Sequence, residues 1–524
     1  MPALQDNPGQ YALIGDIATA MCRLIKRALW PLIVILVIET AFLGMSNDAG
    51  TTAFALISLG CVTVLAVWAK KGTGLPIIPM LAIQTLVAYG LPIATHNESL
   101  LGYPREYFTL SGWEVFAFTI AMIGSWRIGM EMIPTSSGYC FALQGIGDNP
   151  AKLARIGTAM IVSSSAYKLL ESVDLLSPLL GLLPGGLMSV VNVLVAAVSA
   201  CGFFLCAMML GSGQIVSLQR ATFWILLVLQ CYISASAFLL SNTITVLFSA
   251  AIGFFWGSGK VPWRYLLVAL LILSYLNLGK FAMRGKYWTR DEDSPAPAIT
   301  FGDMPRYYRE WMGASWDALT GAPIEEDSTR AFLDFQKPSE EQTASGQSLL
   351  ERINNLQNLL FVVDVTHNFD VKPVGGASYW VIPPLLVPRA LWPDKPRSHQ
   401  GQILLNVHFG RQDEESTLRT YVAWGLLAEA YGNFGPITGT LLLGIIIGLL
   451  FARVEKYVAR KLVMSTEGFV CFTVFLMMAN SFEMVASVLI TSLFQACIPI
   501  ILASAPLVHR TLARPRGDAA AVTS

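Results

Sequence analysis

The stretch Val387-Pro388-Arg389-Ala390-Leu391-Trp392-Pro393-Asp394-Lys395-Pro396-Arg397 sets three prolines and three cations around a tryptophan. Proline fixes φ and removes a backbone donor, so these residues form a stiff turn rather than a helix. A stiff turn holds Arg389, Lys395 and Arg397 in set directions, which readies a site for a multiply charged anion. The plainer alternative is a Pro-rich surface loop with solvated cations. Asp291-Glu292-Asp293 imitates an Asp-x-Asp metal motif, but it lies in a charged loop and reads as solvated. No metal and no other cofactor is expected.

The elements that position these residues follow from composition. The 524 residues are 54% hydrophobic and 13% charged, with mean hydropathy +0.56. Soluble domains carry roughly 25% charged residues, so the chain reads as an all-α polytopic membrane protein. Net charge is zero, which gives a nucleic-acid partner no electrostatic support. The eight cysteines lie in apolar segments or short connections, so neither a disulfide framework nor a thiolate metal site is expected. The first apolar run starts near residue 29 without a small-residue cleavage pattern and reads as an uncleaved signal anchor.

After a polar tail, 1–28, apolar runs fall near 29–46, 51–69, 75–95, 111–130, 155–171, 187–211, 221–241, 243–258 and 262–279. Three more lie within 434–508, near 434–452, 467–482 and 485–507. Most approach the ~20 residues that a bilayer-crossing helix needs, so about twelve spans are expected. Lys70–Lys71, Lys152–Arg155, Arg220, Lys260–Arg264 and Arg453–Lys461 supply cations to every second connection. The intervening short connections carry almost none. By the positive-inside rule both termini are cytoplasmic, including the tail 509–524, and the polar stretch 280–433 is periplasmic. That stretch holds about half of the charged residues, more than a mere connector would need.

Within it, Phe301–Thr320 reads as an amphipathic helix that Asp303 can cap, with Tyr307, Tyr308, Trp311 and Trp316 at helical spacing. These aromatics can stack on sugars or form an interfacial belt. Residues 321–345 read as loop. Ser348 can cap a second helix, Leu349–Val363. Ala377–Leu391 is apolar but broken by Pro383-Pro384, so the segment 377–392 is expected to dip into the outer interface and return. It ends on the cationic turn at headgroup depth, where a lipid-linked phosphate would also lie.

The turn, Pro-Arg-x-Leu-Trp-Pro-x-Lys-Pro, is followed about thirty residues later by Gly425-Leu426-Leu427-Ala428-Glu429-Ala430-Tyr431-Gly432-Asn433-Phe434-Gly435, just before an apolar run. In this order the pair resembles the Wzy-type O-antigen and exopolysaccharide repeat-unit polymerases, with motif likeness over roughly 360–452. The resemblance implies a GT-C-like membrane glycosyltransferase with one large, mainly helical periplasmic loop. It implies as substrate an undecaprenyl-pyrophosphate-linked oligosaccharide at the outer face of the bacterial inner membrane. A chain-length regulator and a flippase are the implied partners, beside the lipid bilayer itself.

In that reaction a growing glycan leaves its polyprenyl pyrophosphate for a hydroxyl on the next unit. Cations must meet the charge that accumulates on the departing pyrophosphate. Arg389, Lys395, Arg397, Arg411 and Arg419 are the candidates, with Lys280 and Arg284 as lipid-phosphate anchors or snorkelling side chains. For Arg411 the favoured reading is a surface pair with Asp413–Glu415. The acceptor hydroxyl needs a base. Glu429 fits, because desolvation near the membrane surface raises a carboxylate pKa, unless it merely pairs with an arginine. His367, His399 and His408 are other possible bases, each also readable as a solvated loop histidine. Tyr431 lies beside Glu429, and Lys168, Glu171 and Glu483 would face the same outer cavity. Two alternatives remain: a related O-antigen ligase, which would share the architecture, and, in a different class, a lipid-linked glycan transporter or flippase. The flippase reading expects internal repeats and small outer loops, and neither is seen.

Overall fold

The computed structural model describes residues 13–143, 150–176, 178, 185–288, 299–320, 353–387, 392, 395–419, 422–463, 465–479, 481, 483–504 and 508–512. Arg389, the Asp291–Asp293 run, Ser348 and all of 321–345 lie outside the described residues. The side chain of Arg419 does as well.

Each apolar run of the sequence lies on a helix. The first nine are α1 (Ile14–Met45), α2 (Thr51–Lys71), α3 (Ile77–Ala94), α4 (Arg105–Met132), α5 (Pro150–Ser172), α6 (Gly185–Gly211), α7 (Ser217–Ala235), α8 (Leu240–Ser258) and α9 (Trp263–Tyr287). Among the described residues seven helices are long and apolar enough to cross a membrane: α1 to α4, the Val191–Gly211 part of α6, α7 and α8. The polar stretch contributes α10 (Met304–Thr320), α11 (Leu356–Asn368), α12 (Ala377–Trp380), α13 (Ile382–Leu386), α14 (Gln400–His408), α15 (Glu414–Arg419) and α16 (Leu426–Phe434). The chain ends with α17 (Thr438–Val458), α18 (Thr466–Ala479) and α19 (Ala486–Ser504).

Some boundaries differ from the sequence reading. α1 starts at Ile14 rather than near residue 29, because Ile14, Ile17, Ala18 and Ile25 bury one face of what read as a polar tail. α11 starts at Leu356, after non-helical residues 353–355, and residues 349–352 of the expected helix lie outside the described residues. There the Asn354 side-chain oxygen accepts the Gln357 N–H at 3.1 Å, and the Asn355 N–H is taken by the Ala88 carbonyl. The chain is not wholly helical either. β1 (Tyr139–Leu143) pairs antiparallel with β2 (Val508–Leu512), Phe141 opposite Arg510.

α4 and α17 pack along their length, and glycine permits the approach. A Cβ on Gly448 would collide with the Ser125 hydroxyl and the Met122 carbonyl, and one on Gly444 would lie 2.5 Å from the Phe118 carbonyl. Gly253 and Gly257 of α8 meet the carbonyls of Phe204 and Met208 on α6 in the same way. In lipid, where a water-driven hydrophobic force between helices is missing, such small-residue contacts supply the packing.

The connections gather at two poles. At the first, Ile14 N–H and Gly15 N–H donate to the carbonyls of Lys461 and Ala459. Lys461 Nζ donates to the Ser137 carbonyl at 2.9 Å, and Glu467 accepts the Phe141 N–H at 3.1 Å. The Glu455 carboxylate clasps this pole from within: it accepts the Thr73 and Gly74 N–H groups and the indole N–H groups of Trp68 and Trp126. At the second pole, Arg105 donates to Asn47 Oδ1 at 2.8 Å and Asn354 Nδ2 to Ser99 Oγ at 2.7 Å. Phe301 N–H donates to the Ser172 carbonyl and Gly425 N–H to that of Glu483. The described part of the long polar stretch belongs to this second pole.

Candidate active site

Glu429 sits on α16 with no solvent exposure. Its Oε1 accepts the Ser378 hydroxyl at 2.6 Å, and its Oε2 accepts the Ala486 N–H at 2.6 Å. Ser378 belongs to α12, in the segment expected to dip into the interface. Ala486 is the first residue of α19. One carboxylate therefore joins three elements that are far apart in sequence. Burial pushes its pKa up to about 7, against the two hydrogen bonds, which lower it.

Local sequence explains the placement. Gly375 and Gly376 take φ of +63° and +88°, which turns the chain sharply into α12. Their loop is tied to the end of α16: Val374 N–H donates to the Gly432 carbonyl and Gly375 N–H to that of Asn433. Gly425, at φ +79°, opens α16. Asn433 follows Glu429 by one helical turn and is fully buried. Its Nδ2 donates to Ser378 Oγ at 2.8 Å and to the Glu429 carbonyl at 2.7 Å. Below, Glu114 of α4 accepts the Ile437 N–H at 2.8 Å and the Thr440 hydroxyl at 2.7 Å. The elbow between α16 and α17 is thus held by a carboxylate on either side.

Tyr431 is buried on the same helix, 3.3 Å from the Thr366 hydroxyl, and burial raises its pKa. Burial, and then the charge of Glu429, likewise raise the phenol of Tyr379, whose ring stacks on Phe434. His399 lies 3.2 Å from Gln402 Oε1 through Nδ1, and burial lowers its pKa against that hydrogen bond. Gln402 in turn donates to the Val422 carbonyl. Glu483 joins the group through its carbonyl, which receives the Gly425 N–H.

Among the described residues the hydrogen bonds to the Glu429 carboxylate come from a serine and a backbone N–H, while Arg389 and the Arg419 side chain lie outside them. Nor does Arg411 form a surface pair with its acidic neighbours. It donates to the Ala423 carbonyl at 3.1 Å and to Asn358 Oδ1 at 2.9 Å, with Phe361 under its guanidinium. No described carboxylate pairs with it, and burial brings its pKa down to about 10. The Trp424 indole N–H donates to the buried Asn406 beside it.

Other expected residues go elsewhere. Lys395 donates to the carbonyls of Leu385 and Val387, both at 2.7 Å, and so closes the C-terminus of α13. Such an ammonium offers fewer donors to a phosphate. Arg284 donates to the Phe238 carbonyl at 2.8 Å and lies over Trp288, in an aromatic neighbourhood with buried Lys280 nearby on α9. Lys168 pairs with Glu171 at 2.7 Å on α5. His367 is exposed against the Tyr107 ring, and exposed His408 meets the Lys372 carbonyl through Nε2. Arg397 precedes α14, half-buried, its carbonyl accepting the Gln400 N–H.

The sequence reading gave no role to Ser378 or Asn433. The i,i+4 spacing of Glu429 and Asn433 on one helix is a signal that could have found the second. No local signal marks Ser378. Among the described residues no three His, Cys, Asp or Glu side chains converge as metal ligands. No protein-family model, curated protein or solved structure matches the chain.

Proposed function

We propose that this membrane protein polymerises lipid-pyrophosphate-linked oligosaccharide repeat units at its second pole. The observation that carries the reading is Glu429: a buried carboxyl with a pKa near 7, held between the interfacial segment and the start of α19. Such a group takes a proton from an acceptor hydroxyl at neutral pH far better than an exposed carboxylate does. The Pro-Arg-x-Leu-Trp-Pro-x-Lys-Pro turn leaves this same segment, so the resemblance to repeat-unit polymerases and the placement of the base concern one neighbourhood. Arg411, without a carboxylate partner among the described residues, is suited to meet charge on the departing pyrophosphate, beside Arg389, Arg397 and Arg419.

A GT-C-like arrangement of about twelve crossings fits the two poles. Four helices (α1 to α4) separate Leu13 from β1. Leaving aside α10 to α16 of the polar stretch, six (α5 to α9 and α17) lie between β1 and the 459–465 connection, and two (α18, α19) follow before β2. All are even numbers, as required if these connections share one side of a bilayer. The cation pattern makes that side cytoplasmic and the Glu429 pole periplasmic. The test is the length of lipid-linked glycan in a deletion strain. Single repeat units, restored to polymer by the wild-type gene, are expected. Long lipid-linked chains with unglycosylated core would make the protein a ligase, and units trapped in the cytosol would make it a flippase.

A further inference from the structure

α10 folds back along α9 rather than standing away from the helical layer. Near its start, Glu310 pairs with Lys286 at 2.9 Å and the Tyr307 ring meets Tyr287 at 4.6 Å, both at the end of α9. Further on, the Trp311 indole donates to the Leu276 carbonyl at 2.7 Å, and Tyr275 donates to the Met312 carbonyl at 2.7 Å. Gly279 lets Ser315 approach so closely that an added Cβ would lie 2.6 Å from the Ser315 nitrogen. At 1.5 Å per residue, Gly279 and Tyr275 lie ~12 and ~18 Å below Tyr287 along α9. α7, apolar enough to cross a membrane, gives the same level: Tyr308 stacks on Tyr232, three residues from its end, at 4.5 Å. These contacts set α10 against the stretch of α9 that lies ~12–18 Å below Tyr287, beside α7.

Its exposed surface is divided. At about 100° per residue, Met312, Trp316 and Leu319 share one arc of ~60°, and Arg306, Gly313 and Asp317 share another ~110° round the helix. Met312, Trp316 and Leu319 are 48%, 58% and 59% exposed, too much large apolar surface for water. Exposed apolar side chains also mark α7, at Ile225 and Val228, and α9 at Leu271 and Ile272, ~22–24 Å below Tyr287. Arg306 and Arg309, both exposed, stay at the upper end, where lipid phosphates lie.

We propose that α10 is a membrane-inserted helix whose Met312–Trp316–Leu319 stripe is covered by the acyl chains of the outer leaflet. The helix would be set in the outer leaflet against α9, with its basic end at the headgroups and its apolar arc toward lipid, the division of faces that membrane-bound amphipathic helices show. α10 then folds back into the lipid beside α9, and the long outer segment begins from within the bilayer. The proposal is independent of the polymerase reading.

The test uses the full chain in vesicles of phosphatidylethanolamine and phosphatidylglycerol. A bioorthogonal nitroxide is placed in turn at positions 312, 316, 319, 306, 313 and 317, and its relaxation by oxygen and by a water-soluble nickel chelate is measured. The oxygen-to-nickel ratio should be several-fold higher at 312, 316 and 319 than at 306, 313 and 317. Equal nickel access on both arcs would mean an aqueous helix and overturn the proposal. Shielding of 312, 316 and 319 from both reagents would mean a protein cover, such as residues 321–352 or a second copy, and would overturn it equally. Carbene labelling from lipid tails on the unmodified chain checks the result without substitution: it should mark Met312 to Leu319, and absence of label there refutes insertion.

Discussion

Glu429 Oε2 accepts the backbone N–H of Ala486 at 2.6 Å, so a side chain of α16 closes the N-terminus of α19. The first N–H groups of a helix lack partners within it and favour a negative charge. That bond draws Glu429 toward its ionised form while burial resists, and burial prevails, from an ordinary 4.5 to about 7.

Polymerisation in proteoliposomes should therefore rise with pH through about 7, as the base loses its proton. Glu429→Gln should abolish polymer and leave no such rise. Stability has the opposite sign. A carboxyl whose pKa is raised on folding stabilises the folded state below its unfolded pKa, and that contribution is lost as pH rises through the folded pKa. The thermal midpoint of the wild type should fall, relative to Glu429→Gln, between pH 4.5 and about 7. A flat difference across that range would place the proton elsewhere.

Glu455 accepts from two indoles and two backbone N–H groups. Glu455→Ala strands all four donors, at ~1–3 kcal/mol for each that finds no water. Tryptophan-monitored unfolding in detergent should show a large drop in midpoint. Glu131→Ala, at an exposed pair with Lys71, is the control and should change little.

Gly448→Ala puts a methyl group against Ser125 and Met122. Overpacking of this kind costs ~1–3 kcal/mol, so folded yield and thermal midpoint should fall. Exposed Gly213 has no neighbour near its Cβ position, but its φ of +73° makes it a poor control. Gly124→Ala, on α4 with open space around it, should be silent.

Arg389→Ala should lower polymerisation by ~10²-fold or more, with membrane insertion unchanged, if its guanidinium meets developing charge. Arg411→Lys keeps the charge but loses the planar fork that serves Ala423 and Asn358 together. It should also lose activity, read as shorter lipid-linked chains on a gel. Full-length polymer from either variant removes that residue from the reaction.

Cysteine at Lys372, exposed at the second pole, should react with an impermeant maleimide added to intact cells with a permeabilised outer membrane. Cysteine at Arg460, exposed at the first pole, should react only after the inner membrane is broken. The converse pattern would invert the proposed orientation.

Where the helices fall was legible in the chain alone. An apolar run of the right length is a local property, and α2, α4, α7 and α8 follow from it without knowledge of neighbours. The alternation of cations between connections likewise anticipates the division into two poles. The ends were less legible: α1 gains its first turns because Ile14 and Ile17 find a surface near Lys461, and α11 starts where Asn354 and Asn355 are already tied to Ser99 and Ala88. Glu429 was visible as a candidate, but its partners were not. Ser378 lies 51 residues before it and Ala486 57 after, and only the folding of α12 and α19 onto α16 brings them to its two oxygens. The same holds for Lys395 and Arg284. Their charge was written in the sequence, but tertiary packing sends both to backbone carbonyls, because a partly buried cation must satisfy its donors wherever the fold leaves acceptors.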